Sequence, residues 1–289
     1  MVIKAITGFS FIILTYNEEV HLPRLLNSIN GLNAPIYILD SGSTDKTLAI
    51  AKEFKTEVKV NIFINHPKQW DFALKNFEIK TPWIIGLDAD QIVGNELFTQ
   101  LKNFKNEAYP NINGIYFNRK NYFQGKWLRY GGYFPFYMLK MFRTGVGFSD
   151  LNENMDHRFI VVGETVIWKN GFLIEENLKE NDLAFWKRKH ERYSDLIAIE
   201  EIERENKWRV QTIEGNLSGN PDERRAWFKT LWRKLPLGFR PYLYFSYRMF
   251  YKLGILDGNK GIKFHYLHSL WFRLLIDKKI KVLKEKNNQ

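Results

Sequence analysis

The feature that most constrains this chain is the alternation in its first ninety residues. Short apolar runs take turns with stretches of helical spacing, and the runs end in polar clusters. Ser10–Thr15 and Ile36–Asp40 have strand length, Val58, Val60, Ile62 and Ile64 alternate with mostly polar residues, and Trp83–Leu87 is a short apolar strand. Between them Leu22, Leu25, Leu26 and Ile29 fall on one helical face. A second helix opens at Gly42-Ser43-Thr44-Asp45 and runs to Phe54, and Phe72–Phe77 reads as a third. The order β-α-β-α-β-α-β implies a doubly wound, mostly parallel sheet. Such sheets bind ligands at the carboxyl ends of their strands. Here those ends carry Thr15-Tyr16-Asn17-Glu18-Glu19, Asp40-Ser41-Gly42-Ser43-Thr44-Asp45 and Asp88-Ala89-Asp90.

From Gly114 the pattern changes to strand-like pieces at Gly114–Phe117, Pro135–Arg143, Arg158–Val162 and Thr165–Lys169, followed by a polar helix from Asp182 to Lys207. The Gly-, Asn- and Pro-rich stretch Glu214–Asp222 reads as a linker. Beyond it, Arg224–Leu235, Arg240–Leu253 and Lys263–Lys279 form basic, aromatic helical segments. The expected organisation is one domain over 1–213, in two halves that divide after residue 113. A linker over 214–223 and a helical extension over 224–289 complete it.

Charge separates these parts. Residues 221–289 hold 16 Lys and Arg against 5 Asp and Glu, whereas the preceding residues hold 27 of each. A neutral body with a basic, aromatic tail argues against nucleic acid and for an anionic membrane surface. The tail aromatics either enter lipid or pack into an ordinary basic subdomain. No stretch of about 18 uncharged apolar residues occurs, so no spanning helix is expected. The run Phe9–Leu14 is too short for a span and lacks a cleavage site. The chain has no cysteine, which excludes disulfides, thiolate metal sites and cysteine nucleophiles.

The carboxylates at the strand ends are the chemistry-bearing residues. Asp88 and Asp90, two apart on an extended chain, offer hard oxygens to Mg²⁺ or Mn²⁺ carrying substrate phosphates. A polar turn is the plainer alternative. Asp40 lies at a strand's carboxyl end, where a carboxylate can hydrogen-bond a nucleobase or ribose. Ser43, Thr44 or Asp45 caps the following helix. Thr15 and Glu18 have capping-box spacing, and a cap there is compatible with a nucleotide contact. Lys75 either reaches a diphosphate as a point charge or decorates an amphipathic helix.

In order, the Thr15–Glu18 strand end, the Asp40–Thr47 stretch, Ala73-Leu74-Lys75-Asn76 and the Asp88/Asp90 pair resemble the family 2 glycosyltransferases of the GT-A fold. Lys75 stands where that family usually has Arg. Later segments resemble its bacterial envelope subgroup, which includes lipopolysaccharide-core glucosyltransferases: Asn118–Asn121, Gly131–Tyr133, Leu139–Arg143, Met155–Phe159, Glu175–Asn177, Lys189–Tyr193 and, in the tail, Leu256–Gly258 and Phe264–Tyr266. The resemblance implies inverting, metal-dependent transfer of a sugar from a nucleotide sugar, most commonly UDP-linked, to an envelope glycan or lipid-linked acceptor. It implies donor contacts at Thr15, Tyr16, Asn17, Glu18, Asp40, Ser43, Lys75 and Asp88, with metal at Asp88 and Asp90. It implies an acidic base beyond the carboxylate pair: Asp156 is the first choice, with Glu153 and His157 as rivals. The enzyme would sit in the cytoplasm, peripheral on the inner face of the cell membrane.

Two other classes share part of the pattern. A sugar-phosphate nucleotidyltransferase wants a Gly-rich N-terminal loop with a basic residue for the triphosphate, whereas Thr15–Glu19 is acidic. A nucleic-acid-binding protein is opposed by the neutral body and the absence of a recognisable binding motif.

Overall fold

The computed structural model describes residues 8–153 and 157–287. They fall into two compact units, the first within Met1–Arg119, Tyr137–Leu151 and Asp156–Leu178, the second within Lys120–Phe136, Asn152–Met155 and Lys179–Gln289.

The first unit opens as the alternation requires: β1 (Phe9–Thr15), α1 (Leu22–Ile29), β2 (Ile36–Asp40), α2 (Thr47–Glu53), β3 (Glu57–Val60), α3 (His66–Asn76) and β4 (Trp83–Asp88). β1 lies between β2 and β4, and the order β3-β2-β1-β4 is parallel throughout. Successive residues of β1 point to opposite faces. Phe9, Phe11 and Ile13 join one core with Leu22, Leu25, Leu26 and Ile29 of α1; Ile12 and Leu14 join another with Trp70 and Ala73 of α3. Both faces are therefore covered, which is why these strands read as unbroken apolar runs. The third strand is shorter than its alternation suggests. It stops at Val60, Asn61 turns the chain by binding Gln69, and Ile62 and Ile64 are exposed.

The remaining strands and one helix are β5 (Gln91–Val93), α4 (Asn95–Lys102), β6 (Ile112–Phe123), β7 (Lys126–Leu128), β8 (Tyr137–Arg143), β9 (Phe148–Ser149), β10 (Phe159–Ile160) and β11 (Glu164–Glu175). β8 pairs antiparallel to β4, β6 to β8 and β5 to β11, so the sheet continues as β4-β8-β6-β11-β5. The chain thus has the GT-A architecture, a parallel nucleotide-type half extended by antiparallel strands. β9 and β10 pair separately.

The second unit contains β7, paired with the end of β6, and the helices α5 (Leu183–Glu205), α6 (Pro221–Arg233), α7 (Arg240–Ser246), α8 (Gly258–His265) and α9 (Phe272–Asn287). α5 pairs with α9 through Lys279–Asp195 at 2.6 Å and Lys284–Glu205 at 2.7 Å. The polar helix therefore packs with the tail in one compact unit. α6 begins inside the expected linker: Asn220 accepts from the N–H groups of Asp222 and Glu223, Glu223 reaches back to Asn220, and Pro221 takes the first helical position. π-helical segments, Tyr247–Tyr251 and Tyr266–Trp271, follow α7 and α8. The tail aromatics divide. Phe264 and Phe272 enter this unit's core with Trp186 of α5, Ile276 and Ile280, while Phe228, Phe239, Phe250 and Tyr251 are exposed. Among the described residues no helix is long and apolar enough to cross a membrane.

Candidate active site

Parallel register brings the polar strand ends to one level: Thr15 lies opposite Asp40, and Leu14 opposite Asp88. Asp40 is fully buried. Its Oδ1 accepts from the backbone of Gly42 (2.9 Å) and Ser43 (2.7 Å), and its Oδ2 from the hydroxyls of Thr15 (2.8 Å) and Ser43 (2.6 Å). Those four bonds fill the acceptor capacity of a carboxylate. Asp40 thus fastens the loops after β1 and β2 to each other. Asn17, with φ 54°, donates its N–H to Ser43 Oγ and accepts from the Thr44 N–H. Glu18 donates its N–H to Thr47 Oγ1.

The capping-box reading of Thr15 and Glu18 is corrected. α1 starts at Leu22, the Thr15 hydroxyl serves Asp40, and the Glu18 carboxylate lies 2.5 Å from Nδ1 of buried His21. His21 Nε2 accepts from the Leu178 N–H. Thr15 is thus taken by a partner 25 residues on, and Glu18 by a residue of its own turn. Tyr16, between two anchored neighbours, stands 57% exposed on the loop surface.

The end of β4 holds a charged cluster. Lys140, on β8, is 2% exposed and places Nζ 3.0 Å from Asp88 Oδ2. His66, at the start of α3, places Nε2 3.3 Å from Asp88 Oδ1. Burial alone would raise the Asp88 pKa, but Lys140 first and His66 second outweigh it and hold the carboxyl well below the ordinary range. The Gln91 side chain accepts from the Asp88 N–H and donates to Glu175, which Arg119 also binds at 2.6 Å. Asp90 lies in the turn between β4 and β5. Its Oδ2 accepts from Asn177 and its carbonyl from the Glu176 N–H. The two aspartates therefore have different settings, one charge-paired and one hydrogen-bonded at a turn.

His157 lies beside this cluster. Its ring stacks on Trp70 at 5.3 Å and 20°, and meets His66 at 5.3 Å. Burial chiefly, with His66 and Lys140 adding repulsion, holds its pKa well below 6.5, so the ring is neutral. Nδ1 lies 3.3 Å from Ser149 Oγ, while Nε2 is buried without a hydrogen-bond partner. Gly86 permits this stack: a Cβ there would sit 2.4 Å from Phe159 and 3.2 Å from Trp70.

The remaining expected site residues are placed elsewhere or not at all. Asp156 lies outside the described residues. Glu153 is buried in the second unit, 3.2 Å from Arg204 and 3.9 Å from Lys229, the setting of an anchor for its loop. Lys75 is 68% exposed and pairs with Asp71 along α3 at 2.8 Å. His66, Lys140, Gln91 and Glu175 had been assigned no role from the sequence. Lys140 has a readable signal, a lysine inside the apolar run Tyr137–Phe142, and Glu175 lies in a segment that resembles the envelope subgroup.

The donor set was tested against a divalent ion. Asp88 and Asp90 offer hard oxygens, and no group of three potential ligands assembles among the described residues. Two carboxylates are the donor type of Mg²⁺ sites that substrate phosphates and water complete. The residues fit an ion that arrives with a diphosphate.

Comparison with known proteins agrees with this architecture. The profile of Glycosyl transferase family 2 matches residues 10–153. An uncharacterized glycosyltransferase of Rickettsia bellii is 32% identical over 99 residues, 34% of this chain and 32% of that protein. The chain thus matches about a third of the length of the first such curated relatives. The lipopolysaccharide core biosynthesis glycosyltransferase LpsC of Rhizobium meliloti is 24% identical over 254 residues, 85% of this chain and 82% of LpsC. The mannosyltransferase PcManGT of Pyrobaculum calidifontis has a TM-score of 0.50 at 12% identity, covering 99% of this chain and 89% of that one, a likeness of fold. The chain belongs to the family 2 glycosyltransferases.

Proposed function

We propose that the protein transfers a sugar from a nucleotide sugar to a cell-envelope glycan or lipid-linked acceptor with inversion at the anomeric carbon. The observation that carries this reading is the shared level of the β1, β2 and β4 ends. Tyr16 is presented there on a loop fastened by Asp40, next to the Asp88 end of the adjacent strand. The nucleoside lies across β1 and β2 with its base on Tyr16, since an exposed aromatic face stacks any base. Thr15, Asn17, Glu18, Asp40 and Ser43 shape that platform. Lys140 and His66 hold Asp88 ionised at the diphosphate end, and Lys75 adds positive charge on α3.

Asp90, with Asp88, would hold Mg²⁺ or Mn²⁺, which when bound neutralises charge on the departing diphosphate. The base takes the proton from the acceptor hydroxyl. That oxygen forms the new bond to the anomeric carbon as the bond to the diphosphate breaks on the opposite face. Asp156 is assigned this role. His157, neutral and stacked on Trp70, is the rival within reach of the cluster; Glu153 is assigned to anchoring. The likeness to LpsC, a glycosyltransferase of lipopolysaccharide core biosynthesis, supports an envelope acceptor. The exposed Phe228, Phe239, Phe250 and Tyr251 among basic residues support attachment to an anionic membrane surface on its cytoplasmic face.

The test is incubation of the protein with a panel of sugar nucleotides, Mg²⁺ or Mn²⁺ and an envelope lipid extract. Acceptor-dependent release of nucleoside diphosphate supports transfer. Release of pyrophosphate from a nucleoside triphosphate and a sugar phosphate would instead identify a nucleotidyltransferase.

A further inference from the structure

The helices of the second unit enclose a polar seam that the transfer reaction does not use. On one side Tyr244 and Arg248 are four residues apart, Arg248 inside the π-helical segment Tyr247–Tyr251. On the other, His265, Ser269 and Arg273 follow at four-residue spacing through the π-helical segment Tyr266–Trp271. The two sides meet at Tyr244, whose ring centre is 4.7 Å from the Arg248 guanidinium carbon and 5.9 Å from that of Arg273. At the other end Gly254 allows close approach: a Cβ there would lie 2.8 Å from both the Arg248 carbonyl and His265 Nε2.

Five buried polar atoms along this seam lack hydrogen-bond partners. His265 and Ser269 are fully buried, and neither imidazole nitrogen nor the hydroxyl makes a hydrogen bond. Arg248 Nη1 and Arg273 Nε are buried without an acceptor. Among the described residues no carboxylate pairs with either guanidinium. The acid that approaches, Asp257, has Oδ2 3.6 Å from His265 Nε2, and its oxygens accept from the N–H groups of Arg129 and Tyr130. Buried polar atoms without partners are uncommon in native proteins, and π-helical turns recur at functional sites.

We propose that this seam is a binding site for a phosphate-ester group. Two guanidinium groups, a hydroxyl and an imidazole form the donor set that a tetrahedral oxyanion matches. Phosphate oxygens accept from guanidinium N–H groups, a hydroxyl and an imidazole N–H. A phosphorylated sugar and a lipid headgroup both carry this chemistry.

The test uses the full-length protein at low salt. Binding of inorganic phosphate and of glucose 1-phosphate is measured by calorimetry. Binding of phosphatidylcholine vesicles is measured with and without phosphatidic acid. The proposal expects saturable binding of at least one phosphate-bearing probe, at least tenfold weaker in Arg248→Gln and in Arg273→Gln, and weaker in Ser269→Ala. Loss confined to the soluble probes assigns a phosphorylated sugar; loss confined to phosphatidic acid vesicles assigns a headgroup. Ser269→Ala removes a hydroxyl that makes no bond in the fold, so it keeps the test decisive if an arginine variant unfolds. No saturable binding of any probe by the wild type, or equal affinity in wild type and Ser269→Ala, would overturn the proposal.

Discussion

The pair Lys140–Asp88 makes an asymmetric prediction. Lys140 is 2% exposed, and Asp88 is its one hydrogen-bond partner among the described residues, whereas the Asp88 side chain is 28% exposed and also meets His66. Asp88→Ala therefore strands an ammonium in the core, and removing one side of a buried pair costs about 3–5 kcal/mol. Lys140→Met leaves an apolar chain of similar length and a carboxylate that water can reach, at about 1–2 kcal/mol. The double variant should lose less than the sum of the two. The pH dependence has a defined sign. The Asp88 pKa is held well below 3.8 in the folded state, so its contribution is full above the unfolded carboxyl's range. It is lost as pH falls through the folded value. Urea unfolding from pH 7 down to about pH 2 measures both effects. Lys140→Met should flatten the acid limb. An equal or larger cost for Lys140→Met, or an unchanged acid limb in that variant, would mean that Lys140 does not hold the Asp88 carboxyl ionised.

Asp40→Ala should destabilise by about 3–5 kcal/mol, because four donors around a buried carboxylate lose their acceptor at once; thermal unfolding checks this. Tyr16→Ala should weaken nucleoside diphosphate binding by about 1–3 kcal/mol of stacking without changing stability, as read by calorimetry against unfolding. Asp156→Asn should lower turnover at least about a hundredfold at unchanged nucleotide affinity, with a smaller loss for His157→Ala; the reverse ranking would move the base to His157. His190, held at about 4 by burial, should cost up to about 3 kcal/mol of stability between pH 6.5 and 4, a slope that His190→Phe should remove. Phe250→Ser with Tyr251→Ser should reduce sedimentation with anionic vesicles, and raised salt should reduce it further.

The parallel half was legible because both of its faces are buried. Fully apolar strands ending in polar clusters leave few topologies, and residues such as Ser10–Thr15 and Ile36–Asp40 fell within one residue of the observed strands. The partners of the polar residues were less visible. Thr15 and Glu18 satisfy a local capping pattern, yet their side chains bind Asp40 and His21. A real capping box formed at Asn220 and Glu223, inside a stretch whose Gly, Asn and Pro content reads as linker. Lys140 and His66 meet Asp88 only because β8 enters antiparallel beside β4 and α3 starts over its end. Such pairings depend on strand order, which composition and spacing do not encode. The tail aromatics look alike in sequence, but Phe264 and Phe272 fill a core while Phe250 and Tyr251 face out. Truncating 224–289 would thus remove core side chains, so surface substitutions are the cleaner probe of membrane attachment.

Turnover of Asp90→Asn beside the wild type at saturating donor, acceptor and metal, read as nucleoside diphosphate release, tests the transfer centre directly. The substitution keeps volume and removes charge at the turn after β4, where Asn177 and the Glu176 N–H hold the residue in place. Metal-dependent release should be lost, with thermal stability close to wild type. Undiminished turnover in Asp90→Asn would contradict a sugar-transfer centre at this strand end.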